Sequence, residues 1–204
     1  MNIQMNMDTV SMDFMERRTK MNKDNVLVII DMQNDFIDGV LGTKEAQAIV
    51  PKVAEYIKNF DGYMITTHDT HYDESYLDTQ EGKKLPIKHC ILGTKGHMIN
   101  DEIMQAIESV RTYEVDYDKI YKYSFGDLEL GNDAWLADAK TIYVCGLCTD
   151  ICVISNAMIL KAAYPEARIV VLKDLCAGTT PGNHAMALVA MEHCQIDTAR
   201  SDEV

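Results

Sequence analysis

The sequence predicts a single α/β domain built on a mostly parallel β-sheet with helices on both faces. Short apolar runs alternate with longer amphipathic segments, which is the order of strands and crossover helices in such a sheet. A chain of 204 residues, 47% of them hydrophobic, suits one domain with a substantial core. We assign this domain to residues 23–204. Residues 1–22, rich in Met, Asn and Asp, are interpreted as an extension that is loosely ordered or contacts another subunit.

The first half of the domain reads as a strand, a helix and a second strand, followed by a further helix. An unbroken apolar run at 26–31 ends in a carboxylate, residues 46–60 have the period of a helix, and residues 63–67 are rich in β-formers. Residues 99–110 predict the next helix, and residues 111–115 a strand.

The second half repeats the alternation of strands and helices. Strands are predicted at 120–123, 141–145 and 168–172, and helices at 128–139, 151–163 and 182–193. Every predicted helix is long enough to connect two parallel strands across a face of the sheet. This pattern indicates a three-layer α/β/α arrangement.

One long segment, residues 69–96, interrupts the alternation. It is polar, has little periodicity, and is too long for an ordinary connection, which favours a functional loop. Four of the six histidines lie in it or at its ends, namely His68, His71, His89 and His97.

Composition excludes several classes of partner. The net charge of −13 disfavours nucleic acid and anionic membrane surfaces, because both require clustered Lys and Arg. No apolar run approaches the length of a membrane span, and the acidic residues near the start do not fit a signal peptide. We therefore expect a cytoplasmic protein whose six cysteines are reduced thiols. Cys145 and Cys148 form a CxxC, but Cys145 falls within an apolar strand and no second CxxC completes a zinc site.

Cys152 is the most informative residue of the chain. An apolar run stops at a turn just before it, so its thiol falls in the first turn of a predicted helix. Unpaired amides and the helix dipole at that position favour a thiolate and an adjacent anion site. A nucleophile is one interpretation, and a small buried hydrophobic residue is the other.

Other chemical residues stand at the carboxyl ends of the predicted strands. Asp31 ends the first strand, Asp69 and His71 follow the second, and Lys122 lies in the strand at 120–123. Asp31 alone could cap a turn, and Lys122 alone could be a surface lysine. Ligands of open parallel sheets bind beyond these strand ends, so the coincidence predicts one common site that also includes Cys152.

Five ordered segments carry a resemblance to a known family: DMQNDF at 31–36, DTH at 69–71, PIKHC at 86–90, YK at 121–122 and GLCTDICV at 146–153. Together they resemble the isochorismatase-like cysteine hydrolases, and among these the nicotinamidases, over roughly residues 25–193. The resemblance implies hydrolysis of nicotinamide to nicotinate and ammonia through a cysteine thioester. It also implies a homo-oligomer acting on a small amide.

The resemblance implies that Asp31, Lys122 and Cys152 form the catalytic triad. Lys122 would favour the thiolate, and Asp31 would accept the thiol proton and pass it to the leaving amine. The backbone amides of Cys148 and Cys152 would form the oxyanion hole, with a cis peptide bond between Leu147 and Cys148. Phe36, Tyr123 and Leu147 would line the substrate pocket, although core packing is an equally simple reading of the aromatic residues.

The resemblance also implies a divalent metal, zinc first and iron or manganese as alternatives. Asp69 and His71 alternate along extended chain and so face the same way, while the long loop brings His89 to them. Some family members use a Glu shortly before the equivalent of His89, and Glu81 is the nearest candidate, one residue out of register. A solvated carboxylate is the alternative for Glu81. If the metal site is incomplete, a carbamoyl or ureido compound is the alternative substrate, and a catalytically silent binding protein is the alternative class.

Overall fold

The computed structural model describes residues 22–110 and 117–204, and this part of the chain forms a six-stranded, all-parallel sheet. Its spatial order is β3-β2-β1-β4-β5-β6. The strands are β1 (Asn25–Ile30), β2 (Tyr63–Asp69), β3 (Asp118–Lys122), β4 (Thr141–Leu147), β5 (Arg168–Ala177) and β6 (Asp197–Ala199). The predicted parallel α/β class is confirmed. The proposed extension up to residue 21 and the predicted strand at 111–115 lie outside the described residues.

Strand β1 forms the centre of the sheet. Residues 26–30 are completely buried, as expected for a strand covered on both faces. On one side β1 pairs with β2, and on the other it pairs with β4, where Ile30 is opposite Gly146. The apolar run that predicted this strand therefore supplies the middle of the core.

Seven α-helices in the described residues accompany the sheet and cover both of its faces. They are α1 (Asn34–Ile37), α2 (Lys44–Asn59), α3 (Gln80–Lys84), α4 (Asp101–Val110), α5 (Ala134–Ala137), α6 (Ile154–Ala163) and α7 (Pro181–His193). Helices α2 and α4 pack against each other, and α6 packs against α7. None of these helices is both long and apolar enough to cross a membrane.

The predicted helix at 128–139 is wrong. The structure has a 3-10 turn at Leu128–Asn132 and then the four-residue helix α5. The interruption falls at Asp133, whose Oδ1 accepts hydrogen bonds from the amides of Trp135 and Leu136 at 2.8 and 3.1 Å. Because that carboxylate caps a new helix, the chain cannot continue the preceding turn through it.

The long polar segment at 69–96 folds against the DMQNDF motif at 31–36. It contains a 3-10 turn at Tyr76–Asp78 and helix α3. Asp35 Oδ2 accepts a hydrogen bond from the Cys90 amide at 2.7 Å, and Asn34 Nδ2 donates to the Lys95 carbonyl at 2.8 Å. Two residues of the DMQNDF motif therefore hold this segment in place by hydrogen bonds.

Gly146 offers a test of how tightly β4 packs on β1. Its φ is +118°, and an added Cβ would lie 2.0 Å from the Ile30 carbonyl oxygen, which is backbone and cannot yield. We expect Gly146→Ala to lower the free energy of unfolding by at least about 3 kcal/mol, measured by urea denaturation. Gly93→Ala is the control, because Gly93 has a φ of +82° with nothing within 4 Å, and should cost about 1 kcal/mol. Equal losses in the two variants would contradict the proposed crowding.

Candidate active site

Four chemical side chains meet at the carboxyl edge of the sheet. Asp31 follows β1, Asp69 ends β2, Lys122 ends β3, and Cys152 lies in a π-helical turn, Thr149–Val153, that follows β4. From β1 the sheet extends through β2 and β3 on one side and through β4, β5 and β6 on the other. The strand order therefore reverses at β1, and a crevice is expected beside the carboxyl end of this strand. This is the position where open parallel sheets bind ligands.

Lys122 is the hub of this group. Its Nζ lies 2.7 Å from Asp31 Oδ2, 3.1 Å from Asp69 Oδ1 and 3.5 Å from Cys152 Sγ, and it also donates to the Ser124 carbonyl at 3.2 Å. The side chain is completely buried. Burial by itself lowers the pKa of Lys122, but the facing acidic groups of Asp31, Cys152 and Asp69 outweigh it and hold the pKa well above its usual range. The site is therefore organised around a permanent ammonium charge.

Asp31 is held by the neighbouring strand. Thr67 Oγ1 donates to Asp31 Oδ1 at 2.7 Å and accepts from the Asp31 amide at 3.2 Å. Asp31 has a φ of +45°, and its Oδ2, apart from the close ionic contact with Lys122, has no hydrogen-bond partner among the described residues. Burial raises the pKa of this carboxyl, and Lys122 opposes the shift. Asp31 Oδ2 is thus placed to accept a proton.

The Cys152 thiol differs from the expectation of a thiolate. The residue is only 5% exposed, and burial together with Asp31 raises its pKa well above the usual range, although Lys122 acts in the opposite direction. The helix-end argument counts only local charge, whereas desolvation and a facing carboxylate dominate in the folded protein. The resting thiol therefore keeps its proton until a base removes it.

The turn that carries Cys152 has the cis peptide bond between Leu147 and Cys148 that the family resemblance implied. The Cys148 carbonyl accepts hydrogen bonds from the amides of Ile151 and Val153, at 3.0 and 3.1 Å, and the Cys152 amide lies between these two donors.

The first two residues of this turn form hydrogen bonds with α7 and with the segment before it. Asp150 accepts from the Thr179 amide at 2.8 Å, and Thr149 Oγ1 lies 2.8 Å from His184 Nδ1. His184 thus anchors the turn by hydrogen bonding from α7.

Next to the Lys122 group, four side chains converge as a possible metal site. The donor atoms of Asp69, His71, Glu81 and His89 all lie within 4.8 Å of one another. Asp69 Oδ2 is 3.0 Å from His71 Nε2 and 3.4 Å from His89 Nε2, and Glu81 Oε1 is 3.5 Å from His89 Nε2. Helix α3 brings Glu81 into this cluster, so the structure places all four residues that the sequence singled out in one location.

The environment of this cluster favours positive charge. Burial alone would raise the pKa of Asp69, but hydrogen bonds from the two histidines and the charge of Lys122 hold it well below its usual range. His89 shows the converse: burial lowers its pKa, yet the carboxylates of Asp69 and Glu81 raise it to about 10. A divalent cation would satisfy the same demand for positive charge.

Several residues orient the cluster from outside. Gln33 Nε2 donates to the Asp69 carbonyl at 2.8 Å, and Gln33 Oε1 accepts from the Asp69 amide at 2.8 Å. His89 Nδ1 is 2.8 Å from the Ile87 carbonyl, which leaves Nε2 for a ligand. Sequence reasoning missed Tyr76, a fully buried ring packed edge-on against His71 and His89 at centroid distances of 4.9 and 5.3 Å. No local pattern marked it, because Tyr76 lies in the segment without periodicity.

A cleft of about 390 Å³ opens onto this cluster. Its lining includes His71 and Glu81 from the cluster, and Tyr123 and Phe125 from the segment after β3. Of the three residues expected in the pocket, Tyr123 lines this cleft, Phe36 packs against His89 at a ring distance of 5.6 Å, and Leu147 is completely buried outside the lining.

The geometry of the site coincides with a family match. The model of the isochorismatase domain matches residues 25–203, which is nearly the whole described chain. The protein belongs to the isochorismatase family. The six-stranded parallel sheet agrees with the fold of solved members, among them a nicotinamidase from Bacillus subtilis with a TM-score of 0.71 over 87% of this chain and 99% of that chain, at 22% identity.

Two curated family members are similar over most of their length. An uncharacterized isochorismatase family protein, PncA of Bacillus subtilis strain 168, is 31% identical over 175 residues, covering 79% of this chain and 91% of that protein. A nicotinamidase/pyrazinamidase of Mycobacterium tuberculosis is 28% identical over 181 residues, covering 84% and 96%. A solved N-carbamoylsarcosine amidase from Thermoplasma acidophilum is 26% identical with a TM-score of 0.65, covering 89% of this chain and 98% of that chain. The proteins similar to this chain thus include amidases named for different substrates.

Thiol labelling tests the state of Cys152. Because that thiol is buried and its pKa is raised, we expect iodoacetamide at pH 7 to modify the exposed Cys194 first, and Cys152 only slowly. Peptide mass spectrometry at successive times gives the order. In Cys194→Ala, the fast phase should disappear. Fast labelling of Cys152 in that variant would mean that Lys122 overrides burial.

Metal affinity tests the four-residue cluster. We expect His89→Ala and Glu81→Gln each to weaken zinc binding by at least about tenfold, because each removes one donor of a four-donor set. Competition with a chromophoric chelator measures the affinity. His193→Ala and Glu74→Gln, which alter exposed residues that are not among the four donors, are the matched controls. Affinities equal to those of the controls would exclude the cluster as the site.

Proposed function

We propose that this protein is an amidase that hydrolyses nicotinamide to nicotinate and ammonia through a thioester on Cys152. The observation that carries the proposal is the buried Lys122 ammonium, which touches Asp31 and Cys152 on one side and Asp69 of the metal cluster on the other. A nucleophile, a base and a cation site thereby share one crevice. The similarity to a nicotinamidase/pyrazinamidase supports the choice of substrate.

Asp69, His71, Glu81 and His89 would hold a divalent ion. Two imidazole nitrogens and two carboxylate oxygens at these separations fit a four-coordinate zinc site, and iron or manganese accept the same donors. When bound, such an ion supplies a Lewis acid that can hold the pyridine nitrogen and orient the ring. The carboxamide would then point toward Cys152.

Proton transfer opens the reaction. Asp31 Oδ2, which has a free lone pair and a raised pKa, takes the proton from Cys152 Sγ as the sulfur attacks the carboxamide carbon. Lys122, at 3.5 Å from the sulfur, stabilises the developing thiolate. A thiol with a raised pKa suits this order, since the negative charge forms only once a substrate is present.

The tetrahedral intermediate then collapses to the thioester. We assign its oxyanion to the backbone amides of Cys148 and Cys152 at the turn after β4. Asp31 returns its proton to the amine, the C–N bond breaks and ammonia leaves. Asp31 next removes a proton from water as its oxygen attacks the thioester carbon. The C–S bond then breaks, Asp31 returns that proton to Cys152 Sγ, and the acid leaves as nicotinate after giving its remaining proton to solvent.

A second substrate class has its own support. The solved N-carbamoylsarcosine amidase is similar to this chain, and a carbamoyl group presents the same C–N bond to Cys152. Carbamoyl or ureido compounds lack a pyridine nitrogen, so their turnover would depend on the triad and less on the metal cluster. Metal dependence therefore separates the two candidates, and a silent binding protein would turn over neither.

Ammonia release tests the proposal. We expect purified protein with zinc to release ammonia from nicotinamide, and Cys152→Ala to reduce the rate by at least about a thousandfold through loss of the nucleophile. Cys194→Ala should leave the rate within about twofold of wild type, because Cys194 is exposed and away from the crevice. A chelator should lower the rate, and added zinc should restore it.

Two outcomes of this assay would contradict the proposed substrate or the proposed activity. Release from N-carbamoyl amino acids but not from nicotinamide would replace the proposed substrate while retaining the cysteine chemistry. No turnover of either class, with zinc, iron or manganese supplied, would overturn the assignment as an amidase.

A further inference from the structure

The Asn156 side chain makes three hydrogen bonds, which reach two separate parts of the site. It is completely buried on α6. Its Nδ2 donates to the Cys152 carbonyl at 2.8 Å and to the Phe125 carbonyl at 3.1 Å, while its Oδ1 accepts from the Asp127 amide at 3.0 Å. Two acceptors on one side and a donor on the other fix the orientation of the amide. One side chain thus ties the nucleophile's helix to the segment after β3.

That segment forms one wall of the cleft. Tyr123, Ser124 and Phe125 all line it, and the Phe125 side chain is 44% exposed. The wall is held at a second point, because Lys122 Nζ donates to the Ser124 carbonyl. Between these two anchors no regular secondary structure supports the wall. Its position therefore depends on the hydrogen bonds from Lys122 and Asn156 and on packing, including the stacking of Tyr123 on Tyr72.

The wall also lies directly on α6. At Gly126 an added Cβ would stand 2.7 Å from Ile159 Cδ1 and 3.3 Å from Ser155 Cβ. The close approach of backbone to helix leaves no room for the segment to move inward. Loss of the Asn156 bonds would therefore release the wall from α6 and change the width of the cleft that it lines.

We propose that Asn156 is a positioning residue that sets the width of the substrate cleft by tethering Phe125 to the helix of Cys152. The inference rests on the proposed amidase function, in which a flat aromatic ring must lie between this wall and the metal cluster. Asn156 touches no substrate. It acts through Phe125 and should influence binding of the ring more than the chemistry at the carboxamide.

The substitution Asn156→Ser removes the hydrogen bonds to the wall and can keep the one to the Cys152 carbonyl. Asn156→Ser keeps a hydroxyl that can donate to the carbonyl four residues earlier, which is that of Cys152, but it is too short to reach Phe125 or Asp127. Ser155→Ala is the matched control, because it removes a bond of the same kind, 2.6 Å to the Ile151 carbonyl, and keeps the Cβ that packs near Gly126 of the wall.

Kinetics give the first readout. We expect Asn156→Ser to raise KM for nicotinamide about tenfold and to leave kcat within about threefold of wild type. Ser155→Ala should change neither constant by more than about twofold. A fall in kcat at unchanged KM, or kinetics equal to those of the control, would overturn the proposal.

A double-mutant cycle identifies the route of the effect. Phe125→Ala removes the ring that the tether positions, so Asn156→Ser should add less than about twofold to KM in that background. Fully additive effects on KM would show that Asn156 acts by another path, and would also overturn the proposal.

Hydrogen exchange keeps this inference separate from the proposed function. The Asp127 amide, bonded to Asn156 Oδ1, should exchange at least about tenfold faster in Asn156→Ser and unchanged in Ser155→Ala. If the wild type hydrolyses no amide, the proposed function fails, and this measurement alone decides whether the tether exists. Unchanged exchange at Asp127 would overturn the tether even in an active enzyme.

Discussion

The buried ammonium of Lys122 is the constraint on which the rest of the site depends. An isolated charge in the interior is very costly, and it persists only where opposite charges and hydrogen bonds compensate it. Here Asp31 and Asp69 contribute a carboxylate each, from the ends of β1 and β2. Because β2 lies between β1 and β3, correct strand register is needed to bring all three groups together. The charge balance of the crevice is therefore tied to the topology of the sheet.

Asp69 connects the two halves of the site. Its Oδ1 faces Lys122, and its Oδ2 faces both histidines of the metal cluster. One carboxylate thus contacts both Lys122 and the two histidines, and Gln33 hydrogen-bonds to the backbone amide and carbonyl of Asp69. A disturbance at either half should reach the other through this residue.

The parts of the site that could be predicted from sequence are those that depend on local geometry and strand order. Asp69 and His71 were expected on one side of extended chain, and the alternation of strand residues is enough for that. Glu81 lies one residue out of the register expected from the family, so the sequence left its role open. Helix α3, capped by Thr79, brings its carboxylate to the cluster. The raised pKa of the Cys152 thiol could not be predicted from the local sequence, because the groups that bury it and the Asp31 carboxylate come from distant parts of the chain.

By itself the sequence determined the parallel α/β class and the candidates at strand ends, since hydrophobic periodicity and strand-end placement are properties of neighbouring residues. The metal ligands Glu81 and His89, the oxyanion hole and the pocket residues were implied by the family resemblance. The structure alone decided which groups touch. The 3.5 Å contact between Lys122 and Cys152 and the hydrogen bond from Asn156 to the Phe125 carbonyl join residues far apart in the chain. Such contacts depend on packing across the whole sheet and its helices, which no local pattern encodes.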